Sequence, residues 1–337
     1  MTSLKILAEK LNLSTTQVSR ALDDKPDVSA ATKAKVRAAA ITMNYRPNSA
    51  ARSLRKRKAD TIAVVLPANA NHFGLTALLN MLFETADALA HHGFDLIMVP
   101  GPADDNEIET LQRLVDGRRA DAMIVVRMRR QDERVAFLAG RGIPFVTHGR
   151  TDGTIEHAFV DGDGEAGFAA ATRLLVDLGH VDIALIGAEQ RFNFAHLRRA
   201  GWLSVMRERG IDPRGLEIAA APNEEAGREA AIRMLDRRPR PTALLCATDA
   251  MAIGAIGAVR AAGLVPGRDV SIIGHDGVQA GLLTTPPLST MQIAATDVGA
   301  RLADKLIRCL GGARPGDLQE ILPINQVPRA THGPPLR

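Results

Sequence analysis

Cysteine, aromatic residues and long hydrophobic runs are all scarce in this 337-residue chain. Its two cysteines, Cys246 and Cys309, cannot build a disulfide framework, nor a four-ligand zinc site by themselves. No apolar run approaches the roughly 20 residues that span a bilayer, and residues 1–10 lack the hydrophobic segment of a secretory signal. The 3% aromatic content favours helix-on-sheet layers over an aromatic-rich β-sandwich. We therefore expect a cytoplasmic globular protein of two or three structural units.

The charge is distributed unevenly along the chain. The formal net charge is only +4, yet residues 1–60 contain thirteen Lys and Arg against five Asp and Glu, which gives +8 for that segment and −4 for the rest. A small basic segment joined to a large, mildly acidic one is typical of a polyanion-binding module attached to a second function.

Three short helices are predicted in the first 43 residues. Leucines at 4, 7 and 11 recur at helical spacing, Ser14 is placed to cap a helix over 15–22, and Ser29 to cap a third over 30–43. Two short helices joined by a tight turn and braced by a third make a helix-turn-helix, whose second helix enters the DNA major groove. The predicted outward residues of that helix all have hydrogen-bonding side chains: Thr15, Thr16, Gln17, Ser19 and Arg20. Of these, Arg20 can read guanine through two hydrogen bonds. The alternative is a generic three-helix bundle with a solvated polar face.

Two motifs in this region resemble the LacI/GalR family of bacterial repressors: VSRAL after STTQ, and NYRPNSAARSL before the basic tetrad at 55–58. The resemblance implies a helix-turn-helix DNA-binding domain over 1–47 and a hinge helix with a basic linker over 48–60. In that family a hinge leucine is wedged into the minor groove, which bends the duplex; an ordinary linker residue is the alternative for Leu54. The DNA-binding positions that carry over are Ser14, Thr15, Thr16, Ser19, Arg20, Asn48, Arg52 and Leu54.

After residue 60 the pattern alternates between short β-branched runs and helical segments. Nine strands are predicted: 61–66, 94–99, 122–126, 144–147, 158–160, 183–186, 216–219, 243–246 and 270–273. This alternation predicts an α/β fold of parallel sheets covered by helices, divided near residue 160 into two lobes. Ligands in such folds bind beyond the carboxyl ends of the strands, which here means a cleft between the lobes.

The resemblance continues through this region in the motifs LGH at 178–180, LRRAGW at 197–202, ATDAMAIG at 247–254, VSIIGHD at 270–276 and PPLST at 286–290. It implies a body similar to a periplasmic sugar-binding protein. The N-terminal lobe would then comprise 61–160 and 291–330, with residues from about Met291 onward rejoining it, and the C-terminal lobe would comprise 161–290.

The resemblance also implies a set of effector-binding residues: Phe73, Arg127, Asp163, Arg198, Trp202, Thr248 and Asp276. Asp and Arg suit sugar hydroxyls because ionised groups make stronger hydrogen bonds. Two positions depart from the sugar-responsive pattern, since Thr248 stands where an Asn is common and Ala295 replaces an aromatic residue. The alternatives are a helix-surface position or an ion pair between the lobes for Arg198, helix capping for Asp163 and Asp276, and packing or a solvated loop for Arg127 and Trp202.

These observations predict a DNA-binding repressor, not an enzyme, that acts as a homodimer, with no catalytic residues, cofactor or metal and no membrane partner. A small sugar-type effector would release it from a pseudopalindromic operator of carbohydrate-uptake or catabolism genes, so that it associates with the bacterial nucleoid when bound. A nucleobase corepressor is an alternative. The segment GDGEAG at 162–167 also fits a dinucleotide-binding G-x-G-x-x-G of an NAD-dependent oxidoreductase, but Asp161, Asp163 and Glu165 would repel a pyrophosphate there.

Overall fold

The computed structural model describes residues 3–45, 58–66, 74–102 and 106–336, and the chain divides into two compact units, Met1–Ala59 and Asp60–Arg337. We call the first unit the head and the second unit the body. Residues 48–57 of the predicted hinge, with Asn48, Arg52 and Leu54, lie outside the described residues, as does Phe73.

The head contains three helices, α1 (Leu4–Leu11), α2 (Thr15–Leu22) and α3 (Ala30–Thr42). Each begins after a serine whose hydroxyl oxygen accepts a hydrogen bond from a backbone N–H of the first turn. At α2 the bond is reciprocal, since the Gln17 side chain accepts from the Ser14 backbone N–H and completes a capping box. Leu7, Val18 and Val36 are fully buried where the three helices meet. The helix-turn-helix prediction is confirmed.

The described part of the body contains eight α-helices: α4 (Gly74–Ala90), α5 (Ile108–Asp116), α6 (Glu133–Gly140), α7 (Gly164–Asp177), α8 (Asn193–Glu208), α9 (Glu224–Leu235), α10 (Asp249–Ala261) and α11 (Val298–Leu310). Its strands are β1 (Thr61–Leu66), β2 (Asp95–Pro100), β3 (Ala122–Val125), β4 (Phe145–His148), β5 (Ala158–Gly162), β6 (Ile183–Gly187), β7 (Glu217–Ala219), β8 (Ala243–Cys246), β9 (Ser271–His275), β10 (Ser289–Ile293), β11 (Gln319–Leu322) and β12 (Ile324–Val327). All nine predicted strands are present, with ends shifted by at most two residues.

The first lobe is built on six parallel strands in the order β11-β5-β4-β3-β1-β2. Ile62 and Val64 of β1 face one core together with helices α4 and α11, whereas Ala63 and Val65 face a second core with α5 and α6. Because helices cover both faces, β1 is apolar along its whole length rather than alternating. The parallel α/β prediction is confirmed.

The second lobe is built on the order β12-β10-β9-β8-β6-β7, in which only β12 runs antiparallel to its neighbour. Helices α7 and α8 pack closely because Gly201 has no side chain: a Cβ there would collide with the Glu165 carbonyl oxygen. Helices α9 and α10 are equally close, because a Cβ at Gly254 of α10 would collide with the Glu224 carbonyl oxygen of α9. Both contacts explain glycines that the sequence motifs contain without a visible reason.

The assignment of 291–330 as a whole to the first lobe is wrong. Strand β10 continues the second sheet by pairing with β9, the chain then crosses to add α11 and β11 to the first lobe, and β12 returns to the second sheet. The C-terminal tail stays with the second lobe, because the Thr331 hydroxyl donates to the Ile272 carbonyl at 2.7 Å. The first lobe also keeps all of β5, to Gly162, instead of ending at residue 160. Pairing between strands, which decides these assignments, is not visible in local hydropathy.

Candidate functional site

The candidate DNA-recognition surface of the head is the exposed side of α2. Thr15, Thr16 and Arg20 are exposed, and Ser14 is exposed where it caps the helix. Ser19 is not outward-facing as predicted, since it is only 7% exposed. It follows Val18 directly and lies one turn before Leu22, and both of these residues pack in the head core.

Arg20 is held by a carboxylate from the loop between α2 and α3. Its Nε donates to Oδ2 of Asp27 at 2.7 Å, and its Nη2 lies 2.7 Å from the same oxygen. Hydrogen bonding to Asp27 raises the pKa of Arg20 and lowers that of Asp27. The guanidinium is therefore oriented before any DNA is bound.

In the body, the predicted polar residues follow the carboxyl ends of strands. Asp163 comes directly after β5, Thr248 shortly after β8 and Asp276 directly after β9, while Arg198 extends from α8. Arg198 Nη1 donates to the Ala247 carbonyl oxygen, and its Nη2 lies 3.5 Å from Oδ1 of Asp276. This arrangement places a cation and a carboxylate at the edge of the sheet where parallel α/β folds bind ligands.

Burial dominates the electrostatics around Arg198. Its side chain is 12% exposed, its guanidinium carbon lies 4.9 Å from the Phe194 ring centre, and burial lowers its pKa below the ordinary arginine value. Next to Asp276, burial and then Arg198 lower the pKa of His275 to about 4. The His275 ring is therefore neutral at pH 7, and its Nδ1 lies 3.0 Å from Oδ1 of Asp276.

A second buried carboxylate supports the loop that follows β9. Asp249 accepts hydrogen bonds from the Val278 backbone N–H at 2.9 Å and from the Thr290 hydroxyl at 2.6 Å. Burial, reinforced by the nearby Asp276 carboxylate, raises the pKa of Asp249 to about 7. Asp249 thereby fixes the backbone beside Asp276, which itself has φ +125°, a conformation that side-chain-bearing residues rarely adopt.

The two lobes touch through the loops that follow β3 and β4 in the first lobe and β6 in the second. Asn193 donates its backbone N–H to the Met128 carbonyl at 3.0 Å and its Nδ2 to the Arg150 carbonyl at 2.8 Å. The Arg127 guanidinium lies 5.0 Å from the centre of the Phe192 ring, so a first-lobe cation covers a second-lobe aromatic residue. On the first-lobe side, Arg150 Nη1 donates to Asp161 at 2.8 Å.

Comparisons with known proteins agree with this geometry. Residues 3–48 match the sequence profile described as "Bacterial regulatory proteins, lacI family", and residues 172–332 match "Periplasmic binding protein-like domain". The chain is 38% identical to the HTH-type transcriptional regulator AglR of Rhizobium meliloti, over 98% of this chain and 94% of AglR. It is 34% identical to the HTH-type transcriptional regulator RafR of Escherichia coli, over 94% of each chain. The chain belongs to the lacI family of bacterial regulatory proteins.

Solved structures extend the likeness over the whole lacI-family chain. The crystal structure of the lac repressor dimer bound to operator and the anti-inducer ONPF shares 28% identity over 98% of each chain, with a TM-score of 0.84. The complex of the regulator CelR with cellobiose shares 25% identity over 98% of this chain and 100% of that chain, with a TM-score of 0.73. Relatives named HTH-type transcriptional repressor PurR, such as that of Glaesserella parasuis, are 28% identical over 91% of this chain and 89% of the relative.

One predicted effector residue of this lacI-family chain is misplaced. Trp202 is fully buried in the core of the second lobe, and its indole Nε1 donates to the Ile183 carbonyl at 3.2 Å. With its ring packed and its only polar atom paired, Trp202 cannot contact a ligand. Arg198 and Trp202 share a face of α8, but Trp202 lies one turn further along the helix and packs in the core of the second lobe.

Asp163 and Thr248 act as helix caps. Oδ1 of Asp163 accepts from the Ala166 backbone N–H at 3.1 Å at the start of α7, and the Thr248 hydroxyl accepts from the Met251 N–H at 3.3 Å at the start of α10. The capping alternative for Asp163 is confirmed, and an effector contact through its other oxygen stays a prediction. Asp276 caps no helix in the described structure; it pairs with Arg198 instead.

The glycines of the segment at 162–167 have packing partners. A Cβ on Gly162 would lie 2.9 Å from the Ile324 side chain, one on Gly164 would lie 3.3 Å from the Arg198 side chain, and one on Gly167 would lie 2.8 Å from Ile324. Close approach of β12 and Arg198 therefore accounts for the glycine spacing that resembles a dinucleotide-binding loop.

Several residues at this site were not among the predicted ones: Phe192, Phe194, Asn193, His275 and Asp249. Phe192 and Phe194 stack with ring centres 5.8 Å apart, between Arg127 on one side and Arg198 on the other. The pattern F-N-F at 192–194, two residues before LRRAGW, was the available signal, since two aromatic residues are conspicuous in a chain with so few. Within the described ranges, no helix is long and apolar enough to cross a membrane, and no cluster of three potential ligands could hold a metal ion.

Proposed function

We propose that this chain is a ligand-responsive repressor whose effector is a small sugar bound between the two lobes of the body. The observation that carries the proposal is the partly buried pair of Arg198 and Asp276 at the carboxyl ends of the second-lobe strands, beside the half-buried Phe194. A cation and a carboxylate side by side offer charge-assisted hydrogen bonds to vicinal hydroxyls, and the phenyl ring offers an apolar surface to a sugar ring.

Two unsatisfied atoms next to this pair support a hydroxyl-bearing ligand. Nε of Arg198 and Nε2 of His275 are buried and have no hydrogen-bond partner among the described residues. The Arg198 Nε is a donor. With its Nδ1 proton directed at Asp276, neutral His275 presents Nε2 as an acceptor. A hydroxyl group is both donor and acceptor, so a sugar can satisfy both atoms.

The head is proposed to bind operator DNA as half of a homodimer. Exposed Thr15, Thr16 and Arg20 would read bases in the major groove, and Ser14 would contact a phosphate. Asn48 and Arg52 of the hinge would add contacts, and Leu54 would be wedged into the minor groove. A twofold dimer matches a pseudopalindromic operator, and such a protein acts in the bacterial cytoplasm at the nucleoid.

Release from DNA is proposed to follow from the contacts between the lobes. Asn193 and Phe192 of the second lobe already touch Met128, Arg150 and Arg127 of the first. A sugar that binds better to one lobe arrangement shifts the population toward it, and only by its difference in affinity. Contacts at the cleft entrance are where such a difference would be generated.

A thermal-shift screen of the full chain tests the effector class, using panels of mono-, di- and trisaccharides and of free nucleobases. A native-state ligand raises the unfolding midpoint, so we expect at least one sugar to do so for the wild type and to lose its effect in Arg198→Gln. Arg173→Gln, which removes an exposed arginine on the same lobe, is the matched control and should respond as the wild type does. A shift by a nucleobase and by no sugar would reassign the effector; a sugar shift that survives in Arg198→Gln would remove Arg198 from the site.

A further inference from the structure

The loop between α2 and α3 presents a carboxylate to the recognition arginine in a defined geometry. Both Nε and Nη2 of Arg20 lie 2.7 Å from Oδ2 of Asp27, so Asp27 occupies the side edge of the guanidinium. Arginine has five N–H donors in a rigid plane. The end edge, formed by Nη1 and the second hydrogen of Nη2, is the fork that matches O6 and N7 of guanine.

We infer that Asp27 is a positioning residue for base reading: it holds Arg20 by the side edge so that the end edge faces a guanine. The inference rests on the proposed operator binding by α2. It adds a specificity determinant from outside the recognition helix, one that touches no base itself.

The loop that carries Asp27 is fixed to the helices on both sides. The Lys25 N–H donates to the Arg20 carbonyl at 3.0 Å, and Ser29 caps α3 by accepting from Thr32. Lys33 of α3 donates to the Asp24 backbone carbonyl at 3.1 Å. Asp27 is therefore presented from a restrained backbone, which orienting another side chain requires.

The charge of Asp27 serves discrimination rather than affinity. In the free protein both partners are about half exposed, at 48% and 51%, so the pair contributes little to folding. A carboxylate beside the DNA repels phosphates. By holding the side edge of Arg20, Asp27 also keeps the guanidinium directed at a base instead of at a phosphate. Removing it is expected to leave nonspecific binding unchanged or tighter while weakening the preference for guanine.

The test uses the full chain and Asp27→Asn, with Asp24→Asn as the matched control. Asp24→Asn makes the same charge change in the same loop and keeps the backbone carbonyl that accepts from Lys33, but the Asp24 carboxylate contacts Lys33 and Arg37 instead of Arg20. Selection from a randomised duplex pool with the wild type supplies the operator, and fluorescence anisotropy on its single base-pair variants gives the preference at each position. Circular dichroism shows that each variant keeps its helices.

We expect Arg20→Ala to abolish the preference for guanine at one position of each half-site. Asp27→Asn should lower that same preference by roughly tenfold or less, because it loosens the bidentate contact that Arg20→Ala removes, and leave the other positions unchanged. In the Arg20→Ala background, Asp27→Asn should have no further effect. If Asp27→Asn keeps the preference, or lowers it no more than Asp24→Asn does, the inference is overturned. If the wild type selects no sequence at all, operator binding itself fails, which is a distinct result.

Discussion

At the scale of single residues, the second lobe places two ionisable side chains, Arg198 and Asp249, where burial disfavours their charged forms. Burial shifts the pKa of Arg198 and of Asp249, and both groups lie near the Asp276 carboxylate at the ends of β8 and β9. Perturbed ionisable groups in a cleft mark functional sites more often than purely structural ones. Burying these groups costs folding free energy, and a ligand that forms hydrogen bonds with them would offset this cost.

Asp249 gives a prediction about stability and pH. Its folded-state pKa of about 7 lies above the ordinary aspartate value of roughly 3.9, so the folded protein binds this proton more tightly than the unfolded chain does. The contribution of protonated Asp249 to the free energy of unfolding is fully present below about pH 4 and is lost as the pH rises toward and through 7. Asp249→Asn lacks this loss, so its melting temperature minus that of the wild type should increase between pH 5 and pH 8.

Calorimetry or circular dichroism melts at several pH values measure this difference. Asp304→Asn, which removes a surface carboxylate that is 64% exposed, reports the effect of losing one negative charge in the same series. A difference for Asp249→Asn that stays constant or decreases with pH would show that burial does not raise this pKa.

Residue types alone indicated part of the site. Arg198 and Asp276 carry a positional likeness to the family, and the structure brings them together. Trp202 carries the same likeness yet belongs to the core, because a helix presents residues four apart to the same side only approximately, and packing against the sheet decides the outcome. His275 and Asp249 attract no attention in the sequence, since their chemistry arises from burial that depends on strands far apart in the chain.

At the scale of elements, close helix contacts give a second prediction. A methyl group at Gly201 would collide with the Glu165 carbonyl oxygen and lie 2.9 Å from the Ala169 nitrogen, both of them backbone atoms of α7. Because backbone cannot move aside cheaply, Gly201→Ala should destabilise the body by about 1–3 kcal/mol or more.

Gly257→Ala is the matched control in urea or thermal denaturation. Gly257 lies in α10, and a Cβ there would meet nothing within 4 Å. This substitution should be neutral or stabilising, by up to about 1 kcal/mol, through helix propensity. Equal effects of the two substitutions would contradict the close packing of α7 against α8.

The identity of most elements was predictable, and their connectivity was not. Continuous β-branched runs such as 61–66 and 243–246 are strands because both faces of each sheet are covered. Strands β10, β11 and β12 are short and partly polar, and β11 and β12 are separated only by Pro323. Their distribution between two sheets depends on pairing partners more than a hundred residues away for β11, and local periodicity contains no such information.

At the scale of the whole molecule, the charge division separates two activities. The first 60 residues carry +8 and include the helix-turn-helix and the basic tetrad, whereas the remainder carries −4 and includes the proposed sugar site. Counterion release by the basic segment predicts operator affinity that falls steeply with salt, whereas sugar binding in the cleft should be far less salt-dependent.

The central claim is that a sugar bound in the body changes the affinity of the head for operator DNA. The most direct measurement is the fluorescence anisotropy of the selected operator duplex titrated with the full chain, with and without a sugar that raises its melting temperature. We predict that saturating sugar raises the operator Kd at least tenfold, leaves binding to an unrelated duplex unchanged, and has no effect on Arg198→Gln. An operator Kd that is the same with and without every sugar that binds would contradict the account.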